Sequence, residues 1–205
     1  MAISIRDFRD ADLEPLIELL VEAFEHDPSF ARWFDISILD DHRETLERLF
    51  RTQITADYLT AGTIDLAVDD DDNLVGAALW RRPGESTNIV EQIKTVPEYA
   101  RIFGHHAPTA LYREKVYADH HPKYPHWYLW VIGVSPKAQG QGVGSTLLDH
   151  GIERGGDDAL YLEASTARSA KLYHSKGFEP MGPIELVEGT TPEFGMWRGP
   201  AMPEE

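Results

Sequence analysis

The chain contains no cysteine. That absence removes a thiolate nucleophile, a disulfide framework and every zinc site built on thiolate ligands. Long apolar runs are missing too. No stretch approaches the roughly 20 residues of a membrane-spanning helix, and the N-terminus, MAISIRDFRD, alternates apolar and charged residues without the apolar core of a secretory leader. A cytoplasmic protein with no membrane partner is the expectation. Basic residues are scarce: 19 Lys and Arg stand against 35 Asp and Glu, a formal net charge of −16. A field of that sign repels nucleic acid at long range, so none is expected as a partner. It is compatible with a cationic substrate such as an amine, although solubility alone accounts for a charge excess of this kind. No repeat, linker or composition break divides the chain, so a single domain over residues 1–205 is expected, large enough for a proper core. No metal is expected. Asp69 to Asp72 reads as a solvated hairpin loop, and the adjacent pairs His105-His106 and His120-His121 do not converge readily on one ion.

What the chain does have is a glycine-rich turn. Trp127 to Val134 is a run of aromatic and β-branched residues suited to a buried strand, and Pro136 ends it. Glycines follow at Gly140, Gly142 and Gly144; then Val143, Leu147, Leu148 and Ile152 fall at helical spacing until Gly155-Gly156. Glycines in a strand-to-helix turn let a ligand approach the backbone closely. The first N–H groups of the helix lack internal partners, and the helix dipole favours negative charge there. The combination is a phosphate cradle. One glycine would fit a plain tight turn; three alternating glycines beside Gln139 and Gln141 favour the cradle.

Three nucleotide motifs compete for it. A Walker loop needs a Lys before the Ser or Thr at the helix start, and Val143-Gly144-Ser145-Thr146 has none. A dinucleotide fingerprint needs G-x-G-x-x-G, and this loop is one residue short, although Glu163 lies roughly where a ribose-binding acid would. The third candidate is coenzyme A, whose pyrophosphate also suits a helix N-terminus.

The segment Gln139-Gly140-Gln141-Gly142-Val143-Gly144 resembles motif A of the GNAT acetyltransferase superfamily. A second signature follows in order: Leu162-Glu163-Ala164-Ser165-Thr166, then Lys171-Leu172-Tyr173, then Gly177-Phe178. The stretch His121 to Leu129, the exit Ile132-Gly133-Val134-Ser135-Pro136, the segment Pro192 to Arg198, and the helix end Glu22-Ala23-Phe24 before Asp27-Pro28 are similar to the puromycin N-acetyltransferase branch. One position departs: Ser169 stands where that branch often has Asn, four residues before the Tyr. The resemblance implies an α/β fold, a GNAT-like mixed, mostly antiparallel central sheet flanked by helices and splayed at the coenzyme-binding strand. It implies acetyl-CoA as co-substrate, bound by Ile132, Gly133 and Val134 on the strand, by Gln139, Gly140, Gln141, Gly142, Val143, Gly144 and Ser145 in the cradle, and by Ser169. Lys137, Arg168 and Lys171 would lie near its phosphates.

Along the rest of the chain, Ile3–Phe8 reads as a strand and Leu13 to Phe24 as a helix capped by Asp10 or Asp12. A second helix is expected from about Asp41 to Leu59, and a hairpin from Thr63–Val68 and Leu74–Trp80. Between Arg81 and His121, Ile89, Val90 and Ile93 are helically spaced, Pro97 interrupts the pattern, Tyr99, Ile102 and Phe103 resume it, and Leu111, Tyr112 and Val116 indicate a further piece. Helices here are expected to cap a substrate pocket. Ala159–Ala164 reads as a strand, Arg168–Ser175 as a helix, and Gly177–Met181 with Phe194–Arg198 as a final hairpin.

Without cysteine, acetyl transfer runs by direct attack of an amine on the thioester in a ternary complex. The backbone N–H near Val134 is the expected oxyanion donor, with Gly133 allowing the strand to bulge. The L-Y-x-x-x-G-F resemblance assigns Tyr173 as general acid, its ordinary pKa of about 10 lying close to that of the leaving thiol. Glu163 is the candidate base; the alternative is a carboxylate that caps the helix after Ser165-Thr166. His120, His121 and His126 are further candidates for the base, and Phe30, Trp33, Tyr128 and Trp130 for the acceptor pocket. The expected acceptor is a primary amine of a small molecule, and a homodimer is compatible with the sequence. A protein or peptide N-acetyltransferase and a non-catalytic acetyl-CoA-binding sensor are the alternatives.

Overall fold

The computed structural model describes residues 2–27, 29–30, 42–85, 89–185 and 192–200, with the backbone alone described for 89–93. Trp33, Pro28 and Asp41 lie outside the described residues. In chain order the elements are β1 (Ser4–Asp7), α1 (Leu13–Phe24), α2 (His42–Gln53), β2 (Gly62–Val68), β3 (Leu74–Arg81), α3 (Ile89–Phe103), α4 (Ala107–His120), β4 (His126–Val134), α5 (Val143–Gly155), β5 (Ala159–Ala164), α6 (Ala167–Ser175), β6 (Glu179–Ile184) and β7 (Glu193–Arg198). The strands form one seven-stranded sheet in the order β1-β2-β3-β4-β5-β7-β6. Every pairing is antiparallel except β4 with β5. This is the mixed, mostly antiparallel sheet expected from the resemblance.

Each face of the sheet carries its own core. On one face, Leu16, Leu20 and Val21 of α1 and Leu46, Leu49 and Phe50 of α2 pack on Leu66, Leu79 and Val131. On the other, Val143, Leu147 and Leu148 of α5 and Tyr173 and Phe178 pack on Trp80, Leu129, Leu160 and Leu162. The helical spacing of these apolar residues selects the buried face of each helix. The close seat of α5 needs a missing side chain: a Cβ on Gly151 would fall 2.3 Å from the Trp80 ring.

One irregularity in β4 organises the site. Leu79 pairs with Val131 but Trp80 with Leu129, so Trp130 is an extra residue, a β-bulge. Trp127 and Leu129 face the α5 core, Trp130 and Val131 both face the α1 core, and Ile132 and Val134 return to the α5 side. The β4–β5 ladder runs only from His126↔Ala159 to Leu129↔Leu162. Past the bulge the strands part, and the backbone groups of Trp130–Val134 on that side have no strand partner. The expected splay is therefore present, but the bulge is at Trp130 and not at Gly133. Gly133 pairs in register with Ala77. Its bare Cα makes room for α1: a Cβ there would lie 3.0 Å from Leu20 and 3.2 Å from Phe24.

Other expectations need correction. Neither Asp10 nor Asp12 caps α1 through its side chain. Asp12 instead clamps the Arg6 guanidinium at 2.7 and 2.9 Å and accepts from the Arg9 N–H. Pro97 does not interrupt a helix; α3 runs through it. Packing on α2 holds the flank, with Ile102 in the core and Gln53 Nε2 donating to Tyr99 Oη at 2.6 Å. The further piece indicated by Leu111, Tyr112 and Val116 is α4; Leu111 and Tyr112 are 70% and 61% exposed on it, while Ala110 and Arg113 are buried. Asp69 to Asp72 forms the β2–β3 loop, where Asp69 accepts from the N–H groups of Asp71 and Asn73.

A buried ion pair ties α5 to the sheet. Asp65 of β2, 1% exposed, meets Arg154 near the end of α5, with His150 Nε2 at 3.7 Å. Arg154 also lies 5.2 Å over the Trp127 ring. Replacing Arg154 by Met leaves a buried carboxylate without its main cation, so the folding free energy should fall by about 3–5 kcal/mol. Denaturant unfolding measures it, and a loss under about 1 kcal/mol would reduce the pair to the standing of a surface contact.

Candidate active site at the parting of two strands

The glycine turn builds an anion cradle from conformation alone. Gly140 has φ +78° and Gly142, the residue preceding α5, has φ +85°, both in the left-handed region. A Cβ added at either would meet nothing within 4 Å, so the space beside both is open. No side chain caps α5. The Gly142 carbonyl accepts from the Thr146 N–H at 2.9 Å, and the amides of Val143, Gly144 and Ser145 precede the first bond of the helix. Val143 itself is buried and offers only its backbone. Gln139 Nε2 and Gln141 Nε2 donate to the carbonyls of Val134 and Lys137, bracing the turn. Lys137, Arg168 and Lys171 are exposed and make no ion pair among the described residues. The cradle thus fits a diphosphate in shape, donors and charge.

Ser169 is placed differently from the expectation. Its hydroxyl donates to the Thr166 carbonyl at 2.9 Å and faces the Thr166 N–H at 3.2 Å, while its own N–H donates to Thr166 Oγ1. This reciprocal cap starts α6 and leaves the hydroxyl little capacity for a ligand. It also removes the alternative for Glu163, because Thr166 and not Glu163 caps that helix.

Glu163 lies on the other side of the parting, on the α1 face of the sheet. Alternation along the paired strands puts Tyr128, Tyr161 and Glu163 on that face together. His121, just past α4, sits edge-on to Tyr128 at 4.5 Å and to Tyr161 at 4.8 Å. Its Nε2 is 3.2 Å from Glu163 Oε1. That contact is an ion-pair distance without hydrogen-bond alignment: Oε1 is buried and accepts no hydrogen bond, and the side chain is only 8% exposed. Tyr161 is fully buried, and its hydroxyl approaches the bare Gly195 of β7. His126 borders the cluster, 5.5 Å from the Tyr161 ring, and burial lowers its pKa. His120 points away and binds the Val116 carbonyl.

The far wall comes from α2 and β3. After Gln53 the helix widens into a π-helical turn, Ile54–Tyr58, which carries Asp57 and Tyr58 to the pocket. Tyr58 stacks on Trp130 at 5.0 Å. The Arg81 guanidinium lies about 6 Å over the rings of Tyr58 and Tyr128 and 3.5 Å from Asp57. Phe30 belongs to the core, against Phe24 and Phe50. Toward Tyr173, Glu193 accepts from Ser29 Oγ and Tyr117 Oη, and Asp27 accepts from Ser165 Oγ.

A family model described as the acetyltransferase (GNAT) family matches residues 14–178, which contain the cradle, both parted strands and Glu163. The chain belongs to that family. Among solved structures similar to this GNAT protein is one from Corynebacterium glutamicum, named as histone acetyltransferase HPA2 and related acetyltransferase: it is 42% identical, covers 99% of both chains and has a TM-score of 0.82. A Drosophila melanogaster polyamine N acetyltransferase, 15% identical over 96% of this chain and 98% of its own, shares the fold at a TM-score of 0.61. Curated relatives named mycothiol acetyltransferase come from Beutenbergia cavernae and Nocardia farcinica. Each is 41% identical, over 58 and 71 residues, or 26% and 32% of this chain. This chain spans about a fifth of their length, 20% and 23%.

Within this GNAT fold the structure changes one premise about Tyr173. It is 6% exposed within the α5 core. Burial, and then the charges of Asp27 and Glu163, push its phenol well above the ordinary range. It is a weaker acid than a free tyrosine, and proton transfer to a thiolate is less closely matched than its sequence position implies. Asp57, Tyr58, Arg81, Glu114 and Tyr161 were not singled out by sequence reasoning. Tyr161 had a detectable signal: it precedes Glu163 by two in a strand, so both face one way. Asp57 had none, because no sequence pattern marks a π-helical turn.

Two predictions follow from this geometry. Gly142→Ala forces a left-handed residue, which costs about 1–2 kcal/mol, and should weaken coenzyme A binding about tenfold in calorimetry; unchanged affinity would remove Gly142 from the cradle. Burial raises the phenols of Tyr58, Tyr128, Tyr161 and Tyr173 above their ordinary value of 10. Stability from keeping them neutral is complete below about pH 10 and falls as pH climbs toward the folded-state values. Phenolate absorbance and circular dichroism should therefore change together above pH 10, and four phenols ionising with the fold intact would contradict their burial.

Proposed function

We propose that this GNAT protein is an acetyl-CoA-dependent N-acetyltransferase that acetylates a primary amine of a small molecule by direct attack in a ternary complex. The observation that carries the reading is that one strand parting separates the anion cradle from a buried carboxylate with a histidine beside it. Acetyl-CoA, when bound, supplies the activated acetyl group; the chain's own residues do the rest. The cradle amides and the cations Lys137, Arg168 and Lys171 hold the phosphates. The β5-facing side of Ile132–Val134, which has no strand partner, lies along the gap, and the N–H near Val134 is the oxyanion donor. Glu163 Oε1 takes the proton of the incoming amine, directly or through a water, with His121 beside it. The Tyr173 hydroxyl, on the α5 side, returns a proton to the sulfur.

Glu163 is 8% exposed beside His121, with Tyr128 and Tyr161 on the same face, and that crowding supports a small acceptor. The similarity to the puromycin N-acetyltransferase branch makes an aminonucleoside amine the first acceptor to try. Transfer to a protein amine is the second reading, favoured by the name of the 42% identical structure.

Because the chain has no cysteine, a thiol reagent reports only released coenzyme A. Thiol release is expected from acetyl-CoA with at least one member of a panel of puromycin, amino acids, polyamines and peptides. Tyr173→Phe should then lower kcat by about 10²–10⁴-fold while acetyl-CoA still raises the melting temperature. An unchanged kcat would remove Tyr173 from proton transfer, and a melting shift with no turnover of any amine would favour a coenzyme sensor.

A further inference from the structure

Glu193 of β7 is 3% exposed, and the transfer chemistry above gives it no part. A carboxylate buried that deeply is costly unless it is hydrogen-bonded. Its donors are hydroxyls from segments distant in sequence: Ser29 Oγ donates to Oε1, and Tyr117 Oη donates to Oε2 at 2.9 Å. Ser29 is itself fixed, because its N–H donates to Asp27 Oδ1 at 2.8 Å. Asp27 Oδ2 in turn accepts from Ser165 Oγ, just beyond β5. One carboxylate therefore joins β7, the segment after α1, and α4.

The register places this junction beside the site. Glu163 is opposite Gly195 in the β5–β7 ladder, and strand alternation puts Glu193 on the same face as Gly195. Tyr161 Oη approaches Gly195 from that face. Glu193 thus shares the face of Tyr161 and Glu163. Tyr117 lies one helical turn before His121, whose N–H donates to the Tyr117 carbonyl at 3.0 Å. Fixing the Tyr117 side chain fixes the end of α4, and that end carries the His121 ring. The ring lies edge-on to Tyr128 and Tyr161, with Nε2 3.2 Å from Glu163 Oε1. Apolar packing does little to hold this helix. Within α4 the buried residues are Ala110 and Arg113, both well before Tyr117, while Leu111 and Tyr112 are exposed. The polar anchor has to do what a hydrophobic face does elsewhere.

From this we infer that Glu193 is a positioning residue: through Tyr117 it sets the end of α4 so that His121 closes on Glu163. His121 covers a carboxylate whose side chain is 8% exposed, and without the anchor the ring drifts and water reaches Glu163. The consequence for rate rests on the proposed transfer reaction; the placement of the ring does not.

Proton NMR of the histidine rings reads that placement. Lying against two tyrosine rings, the carbon-bound ring protons of His121 should be displaced from the positions of an exposed imidazole such as His120. His121→Gln assigns them by their loss. Glu193→Gln and Tyr117→Phe should each move these signals toward the exposed position. If Glu193→Gln fails to fold, Tyr117→Phe, which removes a single oxygen, carries the test. With an amine that releases thiol, either substitution should lower kcat by about tenfold to a hundredfold. On a His121→Gln background, Tyr117→Phe should cost nothing further. Moved signals in a protein that acetylates no amine uphold the positioning and sink only the transfer reaction. His121 signals that stay in place in the folded variants overturn the inference, whatever kcat does. So does a kcat that is unchanged, or one that falls by the full factor again on the His121→Gln background, and both leave the transfer reaction standing.

Discussion

The parting of β4 from β5 is the constraint on which the rest of the molecule depends. Two parallel strands that stay paired satisfy their backbone groups and offer a ligand nothing. Here the ladder ends at Leu129↔Leu162, and the extra residue Trp130 turns the next stretch of β4 through one position. The bulge does two things with one residue. It frees backbone donors and acceptors along Ile132–Val134, and it aims Trp130 at Tyr58 on the α1 face. The two cores exist because the sheet is one layer; the site exists because that layer opens between them. Gly133 and Gly151 then serve the framework, letting α1 and α5 press close on either side of the opening.

Charge is sorted across the same opening. The chain is strongly acidic, yet the α5 side of the opening carries the exposed cations Lys137, Arg168 and Lys171 and helix amides with no side-chain cap. Glu163 lies on the opposite, α1 face. A low-dielectric interior amplifies such contrasts. The large negative charge, which the sequence offered first as a matter of solubility, has a local counterpart at the proposed acceptor pocket.

Much of this was legible in the residues. The strand, the glycine turn and the α5 helix could be read because apolar periodicity, Pro136 and Gly155-Gly156 mark their limits in one short stretch. The β2–β3 hairpin and β5 were placed within a residue, whereas β6, expected over Gly177–Met181, runs Glu179–Ile184. What could not be read depends on contacts distant in sequence. Pro97 looked like a break because local rules weigh the lost N–H and not the packing of Tyr99 and Ile102 on α2. Leu111, Tyr112 and Val116 marked α4 as a helix but not its face: the buried residues are Ala110 and Arg113. Gly133 and the bulge were three residues apart, since a glycine can serve either a bulge or a close helix and the sequence does not distinguish them. The Ser169 hydroxyl was assigned to a ligand that its own capping box outcompetes. The cluster of Asp57, Tyr58 and Arg81 was invisible because its members come from separate segments and share no local pattern.

The uncapped start of α5 has a practical consequence. No side chain closes the first turn of α5, so its first amides stay open to an anion. An anion in the medium can act as a provisional cap, so phosphate or sulfate buffers occupy the same amides that a nucleotide would. An anion so bound stabilises the folded state by an amount that grows with the logarithm of its concentration. The melting point of this protein is a property of its solution as well as of its sequence, and comparisons between preparations hold only when the buffer anion is the same.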